Sequence, residues 1–298
     1  MGYGVATTLT MSVRCPLRLS VVTITYNDVA GLRLTVDSLR SLFGVWPASE
    51  WEHVVVDGSP ALSRHLLDDL PPGWPLVHLE QSPGGVPRAF NQALAVADGP
   101  YIWFLNGGDA LRDPAALSRM LGVLDRDRAA DFVCGGVYLR RDGLALYPAV
   151  PRHTLLGNLL GRSWIYHQGV VYRRASLRRV GPFSTAYRAA GDYDFHLRCY
   201  VAGLRGRFTD DVLAYYDMGG GSNDVVTVFR EFKEIQRSHR GELPPWANWA
   251  NEIVRTAEYT RILALRKFSA TRLGATLRPS WARLNRWLRR RRWGRATR

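Results

Sequence analysis

The sequence contains little cysteine and no long apolar run. Its three cysteines, Cys15, Cys134 and Cys199, are odd in number and far apart, which matches neither a disulfide framework nor a zinc ligand set. This usage favours a reducing compartment. The apolar run at residues 19–24 is much shorter than the ~20 residues that a membrane-spanning helix needs. We therefore expect a cytoplasmic protein with no transmembrane helix.

Lysine is nearly absent, and the positive charge is concentrated at one end of the chain. Lys233 and Lys267 are the only lysines among 40 basic residues, and the net charge is +14. Residues 1–254 hold 26 Lys+Arg and 25 Asp+Glu, a net of +1, whereas residues 255–298 hold 14 and 1, a net of +13. A near-neutral body with a cationic end is typical of attachment to an anionic surface. The pattern argues against nucleic acid as a partner.

Apolar runs alternate with amphipathic segments through much of the chain. Runs rich in β-branched and aromatic residues predict strands, and apolar residues at three- and four-residue intervals predict helices. The predicted strands are 19–25, 51–56, 76–79, 101–105 and 132–140, and the predicted helices are 30–43, 62–70, 87–97, 114–124, 192–202, 246–266 and 281–293. This order predicts an α/β fold with a mostly parallel, Rossmann-like sheet flanked by helices, loosening toward α+β after the last strand.

Polar residues follow three of the predicted strands. They are Thr25 to Asn27, Asp57, and Asn106 to Asp109. In open α/β sheets ligands bind at the carboxyl ends of the strands, so these residues are expected to line one crevice. The sequence therefore predicts a binding site there.

Five short segments give the site a more specific interpretation. They are Val22-Thr-Ile-Thr-Tyr-Asn27, Glu52-His-Val-Val-Val-Asp57-Gly-Ser, Pro83-Gly-Gly to Asn91, Asp98-Gly-Pro-Tyr-Ile-Trp-Phe-Leu-Asn-Gly-Gly-Asp109, and Ala190-Gly-Asp-Tyr-Asp-Phe-His-Leu-Arg198. In this order they resemble the family-2 glycosyltransferases of the GT-A fold. No single segment is specific, but all five in the family's order are hard to obtain by coincidence.

The resemblance also implies a domain organisation. A GT-A catalytic domain would cover residues 19–240, with a donor half at about 19–112 and an acceptor half at about 113–240. An N-terminal extension, 1–18, would precede it and a basic helical extension, 241–298, would follow. Processive members carry Gln-x-x-Arg-Trp, whereas Arg283-Leu-Asn-Arg-Trp287 lacks the Gln. We therefore expect the transfer of single sugars.

The resemblance implies a nucleotide-sugar donor bound by the strand ends. Thr25, Tyr26, Asn27 and Asp57 would line the nucleoside pocket, and Asn91 would face the donor. Each assignment has an alternative: Asp57 could form a local turn with Gly58 and Ser59, and Asn91 could be a helix-surface amide.

Asn106 and Asp109 occupy the place of the family's Asp-x-Asp motif, which holds a divalent cation between the two phosphates. Here one carboxylate is missing, because the sequence reads Asn106-Gly-Gly-Asp109. Mg²⁺ or Mn²⁺ bound by Asp109 remains the expectation, since a hard cation takes further ligands from substrate phosphates and water.

Asp192 occupies the place of the second acid in the family's Glu-Asp pair, and Gly191 replaces the first. The resemblance implies that Asp192 is the general base that activates the acceptor hydroxyl, which inverts the anomeric centre. Asp194 is the alternative base, or it pairs with Arg198 one helical turn away. Either acid could also simply favour the start of the helix through its dipole.

His167, Gln168 and Arg198 are placed on the acceptor side by the same resemblance. A histidine that merely ends a strand is an equal alternative for His167.

The expected function is transfer of one sugar from a nucleotide-diphosphate sugar to a hydroxyl of a glycan or glycolipid acceptor. The basic segment 281–298, with Trp281, Leu284 and Leu288 on one predicted helix face, is expected to bind an anionic membrane surface, on the inner face of the cell membrane. Alternatives for this tail are a disordered segment or a contact with a partner protein. Alternatives for the whole chain are a nucleic-acid-binding protein or a catalytically inactive GT-A-like protein that uses the Arg-rich tail.

Overall fold

A mixed nine-stranded sheet forms the centre of the described chain. The computed structural model describes residues 17–81, 84–141, 144–151, 154–160, 165–218 and 225–269. The strands are β1 (Leu19–Thr25), β2 (Trp51–Asp57), β3 (Leu76–Glu80), β4 (Tyr101–Phe104), β5 (Ala110–Leu111), β6 (Phe132–Arg141), β7 (Leu144–Ala149), β8 (Val170–Arg173) and β9 (Gly206–Asp217). Their spatial order is β3-β2-β1-β4-β8-β6-β9-β5, and β7 pairs with β6.

Helices cover both faces of this sheet. They are α1 (Val29–Phe43), α2 (Pro60–Asp68), α3 (Val86–Val96), α4 (Pro114–Arg126), α5 (Leu155–Leu160), α6 (Arg174–Val180), α7 (Gly191–Val201), α8 (Val225–Ser238) and α9 (Pro245–Ser269). A short 3-10 turn, His167–Gly169, leads into β8. The α/β fold expected from the sequence is thus confirmed.

The two halves of the sheet differ in strand direction. β3, β2, β1 and β4 are parallel, and Thr25 pairs with Asp57 so that the ends of β1 and β2 coincide. Beyond β4, the strand β8 is antiparallel to both of its neighbours, and β5 and β7 are antiparallel additions. The expected mostly parallel sheet is thus parallel throughout its first half, and in the second half the long strands β6 and β9 are also parallel to each other. Short connections such as the β6–β7 hairpin permit antiparallel pairing without a crossover helix.

Two apolar cores lie on opposite faces of the sheet. Trp103 and Phe104 are adjacent on β4 and fully buried, and because strand residues alternate they belong to different cores. The Trp103 core includes residues of α1, α2 and α4. The Phe104 core includes residues of α3, α5, α7 and α8. Full burial of one such side chain contributes about 1.5–3 kcal/mol.

Most predicted helices agree with the structure to within a few residues, but seven of the observed elements were not predicted. The predicted helix 192–202 is α7 (Gly191–Val201), and the predicted helix 246–266 is α9 (Pro245–Ser269). The missed elements are the strands β5, β7, β8 and β9 and the helices α5, α6 and α8. The predicted helix 281–293 and residues 1–16 lie outside the described residues.

Helix α9 attaches to the layer formed by α7 and α8. Ala247 is fully buried, and the ring of Tyr259 lies 5.1 Å from that of Phe229 on α8. Although α9 has 25 residues, neither it nor any other helix in the described ranges combines the length and apolarity needed to cross a membrane.

Candidate active site

Three strand ends meet at one edge of the sheet. The main-chain N–H of Gly58 donates to Thr25 O at 2.9 Å, and that of Gly107 donates to Ile24 O at 3.0 Å. The main-chain N–H of Asn27 donates to Ser59 Oγ at 2.8 Å. The residues that follow β1, β2 and β4 therefore form one crevice, as the sequence predicted.

The turn after β4 is compact and requires glycine. Gly108 has φ +92°, a left-handed conformation that side chains disfavour, and a Cβ at Gly107 would lie 3.2 Å from Thr25 Oγ1. Thr35 on α1 donates through Oγ1 to Asp109 O at 2.6 Å. The turn thus holds the Asn106 and Asp109 side chains against the end of β1.

Asp109 is buried and hydrogen-bonded through both carboxylate oxygens. Oδ1 accepts from the main-chain N–H of Asp217 at 2.9 Å, and Oδ2 accepts from Gln168 Nε2 at 2.7 Å. Burial raises the pKa of Asp109 to about 7, although these two hydrogen bonds oppose the rise. Gln168, expected on the acceptor side, therefore contacts the proposed metal ligand directly.

Arg140 and Asp217 also belong to this cluster, and neither was predicted. Arg140 Nη2 donates to Gly108 O at 2.6 Å and lies 3.7 Å from Asp217 Oδ2. These residues come from β6 and β9, which carry no matching motif in the sequence. Arg140 places one positive charge beside the turn.

Asn106 and His167 form a second contact between the two halves of the sheet. Asn106 Nδ2 lies 3.0 Å from His167 Nε2. Burial lowers the pKa of His167 to about 4, so the neutral ring accepts this hydrogen bond. Within the described ranges, the buried oxygens Asn106 Oδ1 and Gln168 Oε1 have no hydrogen-bond partner. Two buried acceptor oxygens at this contact are thus unpaired.

The same residues allow a test of the expected divalent cation. The described residues contain no group of three or more His, Cys, Asp or Glu side chains able to hold a metal ion. The carboxylate of Asp109 and the unpartnered Asn106 Oδ1 nevertheless are oxygen donors of the kind that Mg²⁺ and Mn²⁺ bind. This set fits a cation that takes its other ligands from a diphosphate and water.

Asp57 has a local structural role. Its carboxylate is fully buried, and Oδ1 accepts from the main-chain N–H of Ser59 at 2.8 Å. Oδ2 accepts from the hydroxyl of Ser63 and lies 3.7 Å from His78 Nε2. This is the local turn considered as the alternative from the sequence, and it joins the end of β2 to the start of α2. The expected contact of Asp57 with the donor stays a prediction.

Asn91 is likewise engaged elsewhere. Its Nδ2 donates to Phe183 O at 2.8 Å, and its Oδ1 accepts from Phe183 N–H at 2.7 Å. Both ends of the amide are therefore bonded to the loop between α6 and α7. The amide thus holds this loop against α3, and the expected donor contact stays a prediction.

Tyr26 and Asn27 are the predicted donor residues that remain at the surface of the crevice. Tyr26 is 57% exposed, and its ring lies against Gly58, where a Cβ would come within 2.9 Å of Cδ2. Asn27 has φ 52°, a conformation that asparagine tolerates better than most residues. The Tyr26 ring is thus available for stacking on a planar ligand.

Asp192 lies in the first turn of α7 and is partly buried. Its Oδ1 accepts from the main-chain N–H of Tyr193 at 2.8 Å, and burial raises its pKa to about 6. His196, four residues later and on the same side of α7, lies 2.6 Å through Nε2 from Tyr172 Oη on β8. Asp192 therefore lies on the side of α7 that faces the sheet.

Asp194 and Arg198 form a structural ion pair. Arg198 Nε donates to Asp194 Oδ2 at 2.8 Å, and Arg198 Nη1 donates to Val180 O at 3.0 Å. His239 Nε2 lies 3.6 Å from Asp194 Oδ1. Asp194 thus forms the pair with Arg198 that was one of the two alternatives from the sequence, and the acceptor-side role of Arg198 stays a prediction.

Glu231 on α8 holds the segment that leads into α7, and it was not predicted. Its buried carboxylate accepts from the main-chain N–H groups of Arg188, Ala189 and Ala190, at 3.0, 2.8 and 2.8 Å. Asp192 follows this segment directly. Glu231 therefore fixes where α7 begins.

This geometry agrees with the comparison to known proteins. Residues 20–194 match the family described as Glycosyl transferase family 2, which is more than half of the chain. The chain belongs to this family. The enzyme is therefore a glycosyltransferase, and the resemblance seen in its five segments is confirmed.

Mycobacterial proteins are similar to this glycosyltransferase over most of their length. A PGL/p-HBAD biosynthesis glycosyltransferase of Mycobacterium bovis is 30% identical over 226 residues, covering 74% of this chain and 85% of the relative. An uncharacterized glycosyltransferase of Mycobacterium tuberculosis is 28% identical over 228 residues, with 74% and 84% covered.

Solved structures support the GT-A fold of this glycosyltransferase. Residues 1–349 of S. aureus TarS, in complex with UDP-GlcNAc, superpose with a TM-score of 0.62 at 19% identity, covering 86% of this chain and 74% of that fragment. The mannosyltransferase PcManGT of Pyrobaculum calidifontis, in complex with GDP-Man and Mn²⁺, gives 0.60 at 17% identity, with 94% and 83% covered.

Proposed function

We propose that this glycosyltransferase moves one sugar from a nucleoside-diphosphate sugar to a hydroxyl of a glycan or glycolipid acceptor, with inversion at the anomeric carbon. The observation that carries the proposal is the environment of Asp192. Its carboxylate faces the sheet from the start of α7 and has a pKa raised to about 6, which suits a general base near neutral pH. Asp194, the other candidate, is bound to Arg198.

The proposed reaction is a single displacement. Asp192 takes the proton of the acceptor hydroxyl while the hydroxyl oxygen bonds to the anomeric carbon. The bond between that carbon and the diphosphate oxygen breaks on the opposite face, and its electron pair leaves with the nucleoside diphosphate. Attack opposite the leaving group inverts the anomeric configuration, and the protonated Asp192 then returns its proton to water.

The strand-end crevice supports the donor side of the proposal. The exposed Tyr26 ring can stack on the nucleobase, with Thr25 and Asn27 beside it. Gln168 Oε1 can accept a hydrogen bond from a sugar hydroxyl. Asp109, with Asn106, would hold a divalent cation, which when bound offsets the charge of the diphosphate. TarS and PcManGT, which were solved with UDP-GlcNAc and with GDP-Man and Mn²⁺, support a donor of this class.

We also propose a location at the inner face of the cell membrane. One support is the charge of residues 255–298, which contain 14 Lys+Arg and one acidic residue. The other is that the mycobacterial relatives are named as glycosyltransferases of PGL/p-HBAD biosynthesis. The tail 281–298 itself lies outside the described residues.

Two measurements test the proposed function together. A thermal-shift screen of UDP-, GDP- and dTDP-sugars, with and without Mn²⁺, is expected to find a donor that raises Tm, because a ligand that binds only the folded state stabilises it. Proton NMR of the product formed from an α-linked donor is then expected to show a β-linked sugar. Retention of the α configuration would reject the single displacement.

A further inference from the structure

The longest described helix, α9, has an uncovered apolar side. Trp246 is 58% exposed, Trp249 70% and Ile253 49%. They follow one another at intervals of three and four residues, so they share one side of the helix. The opposite side packs on the domain through the buried Ala247 and through Tyr259, which contacts Phe229. The tryptophans therefore point away from the core.

The same side of the helix continues with small residues that are described as exposed. After Ile253, the exposed residues on this side are Ala257, Thr260 and Ala264. The next exposed residue on the same side is the cation Lys267. Glu252 lies at the edge, 3.8 Å from Lys233 Nζ. We name this surface the α9 stripe, and it consists of Trp246, Trp249, Ile253, Ala257, Thr260 and Ala264.

The chain that follows the α9 stripe is strongly cationic. Residues 270–298 contain ten arginines and neither aspartate nor glutamate. An apolar stripe bearing tryptophan therefore leads directly into a positively charged segment. Tryptophan rings favour the headgroup region of a bilayer, and basic residues are attracted to anionic lipids.

We propose that the α9 stripe docks on an anionic lipid bilayer, with Trp246 and Trp249 in the headgroup region. Charge complementarity favours this occupant over a second copy of the chain, which carries the same net charge of +14. Two observations combine in this surface, since neither the exposed tryptophans nor the cationic segment alone specifies a lipid.

Docking in this way would place the layer containing Asp192 near the membrane. Helix α9 contacts α5 and α8, and both of these contact α7. An acceptor at the bilayer surface would then lie on the same side of the molecule as the proposed base. The inference itself does not depend on the proposed reaction, because its test measures binding to lipid and not transfer.

The test is co-sedimentation of the full-length protein with vesicles of phosphatidylcholine and phosphatidylglycerol, and with vesicles of phosphatidylcholine alone. We expect binding to the anionic vesicles. The double variant Trp246→Gln/Trp249→Gln should lower the partition coefficient about tenfold, because two aromatic anchors are lost from the interface. Thermal unfolding should be unchanged, since both side chains are exposed.

Three controls sharpen this test. Trp246→Phe/Trp249→Phe should keep most of the binding. Leu34→Gln/Val45→Gln, which replaces two exposed apolar residues on the α1 side of the sheet, should bind like the wild type. Replacing Arg289 to Arg292 with Gln should weaken binding and reduce its dependence on salt.

Two results would overturn the proposal. One is unchanged vesicle binding by the Trp246→Gln/Trp249→Gln variant, whatever the effect of the arginine variant. The other is a wild-type dimer in lipid-free solution that this variant converts to a monomer in sedimentation equilibrium, since a second copy would then cover the α9 stripe.

Discussion

The strand-end crevice and the helical layer around α7 hold their polar residues in different ways. In the crevice, the carboxylate of Asp57 accepts a hydrogen bond from the main chain of Ser59, only two residues away. A residue expected to bind the donor therefore stabilises a local turn. In the helical layer, Glu231 reaches residues 41 to 43 positions earlier and places the segment before Asp192. Local contacts therefore occupy motif residues, whereas long-range contacts position the residue proposed for chemistry.

Asp192 gives the largest expected effect. Asp192→Asn removes the proposed base and should lower kcat about 10³-fold, within the range that general base catalysis contributes. The Tm increase caused by the donor should be unchanged. Asp210→Asn, which replaces an exposed aspartate, is the control and should retain wild-type kcat. Transfer at the wild-type rate by Asp192→Asn would remove Asp192 from the mechanism.

The raised pKa of Asp192 also predicts a change of stability with pH. Its pKa is about 6 in the folded protein, against 3.8 for an aspartate side chain in water, so the folded state binds the proton more tightly. The protonated group therefore favours the folded state at low pH, and this contribution is lost as pH rises from about 4 to about 6. Asp192→Asn should thus raise Tm relative to the wild type at pH 8 but not at pH 4. Equal differences at both pH values would contradict the burial of this carboxylate.

A variant of Asp194 tests the different roles assigned to Asp192 and Asp194. Asp194→Asn leaves Arg198 without its carboxylate partner in a largely buried position and should lower the free energy of unfolding by about 3 kcal/mol. At a temperature where the variant is folded, kcat should stay within a few-fold of the wild type. Chemical denaturation and single-turnover assays measure the two quantities. A variant that is stable but inactive would reverse the roles assigned to the two aspartates.

Much of the crevice could be predicted because its residues belong to short motifs at strand ends. Thr25 to Asn27 and Asn106 to Asp109 converge because parallel strands end at one edge of a sheet. The donor contacts expected of Asp57 and Asn91 stay predictions, because both side chains are hydrogen-bonded to nearby groups of the protein. At a strand end or a helix start, a ligand and the nearby main chain can each hydrogen-bond to the same side chain. The sequence alone does not show which of the two partners it binds.

Arg140, Asp217 and Glu231 could not be placed from the sequence. Each reaches the site through tertiary packing of β6, β9 or α8. Helix α8 did carry a signal, because Phe229, Phe232 and Ile235 recur at three-residue intervals and are buried. Strand β9 carried less, since Asp210 and Asp211 interrupt its apolar residues.

Glu231 tests whether the long-range contact matters for catalysis. Glu231→Gln removes the charge that accepts three main-chain hydrogen bonds and should cost about 2 kcal/mol of stability. A shifted start of α7 should lower kcat about tenfold while the donor KM changes little, because misplacing a catalytic group weakens transition-state stabilisation. Glu234→Gln, on the exposed side of the same helix, is the matched control. A loss of stability with unchanged kcat would make Glu231 a structural residue only.

Asn91 offers the smallest effect, and it distinguishes the two roles considered for this residue. Asn91→Ala leaves the N–H and the carbonyl of Phe183 without their partner, and because the site is partly open to water the cost should be about 1 kcal/mol. Gln92→Ala, on the same helix, serves as the control. Isothermal titration with the donor should give the wild-type Kd if Asn91 acts only on the loop before α7. Weaker donor binding without a change in Tm would instead show that Asn91 contacts the donor. Motif residues in the crevice would then bind ligand even when their amides have main-chain partners.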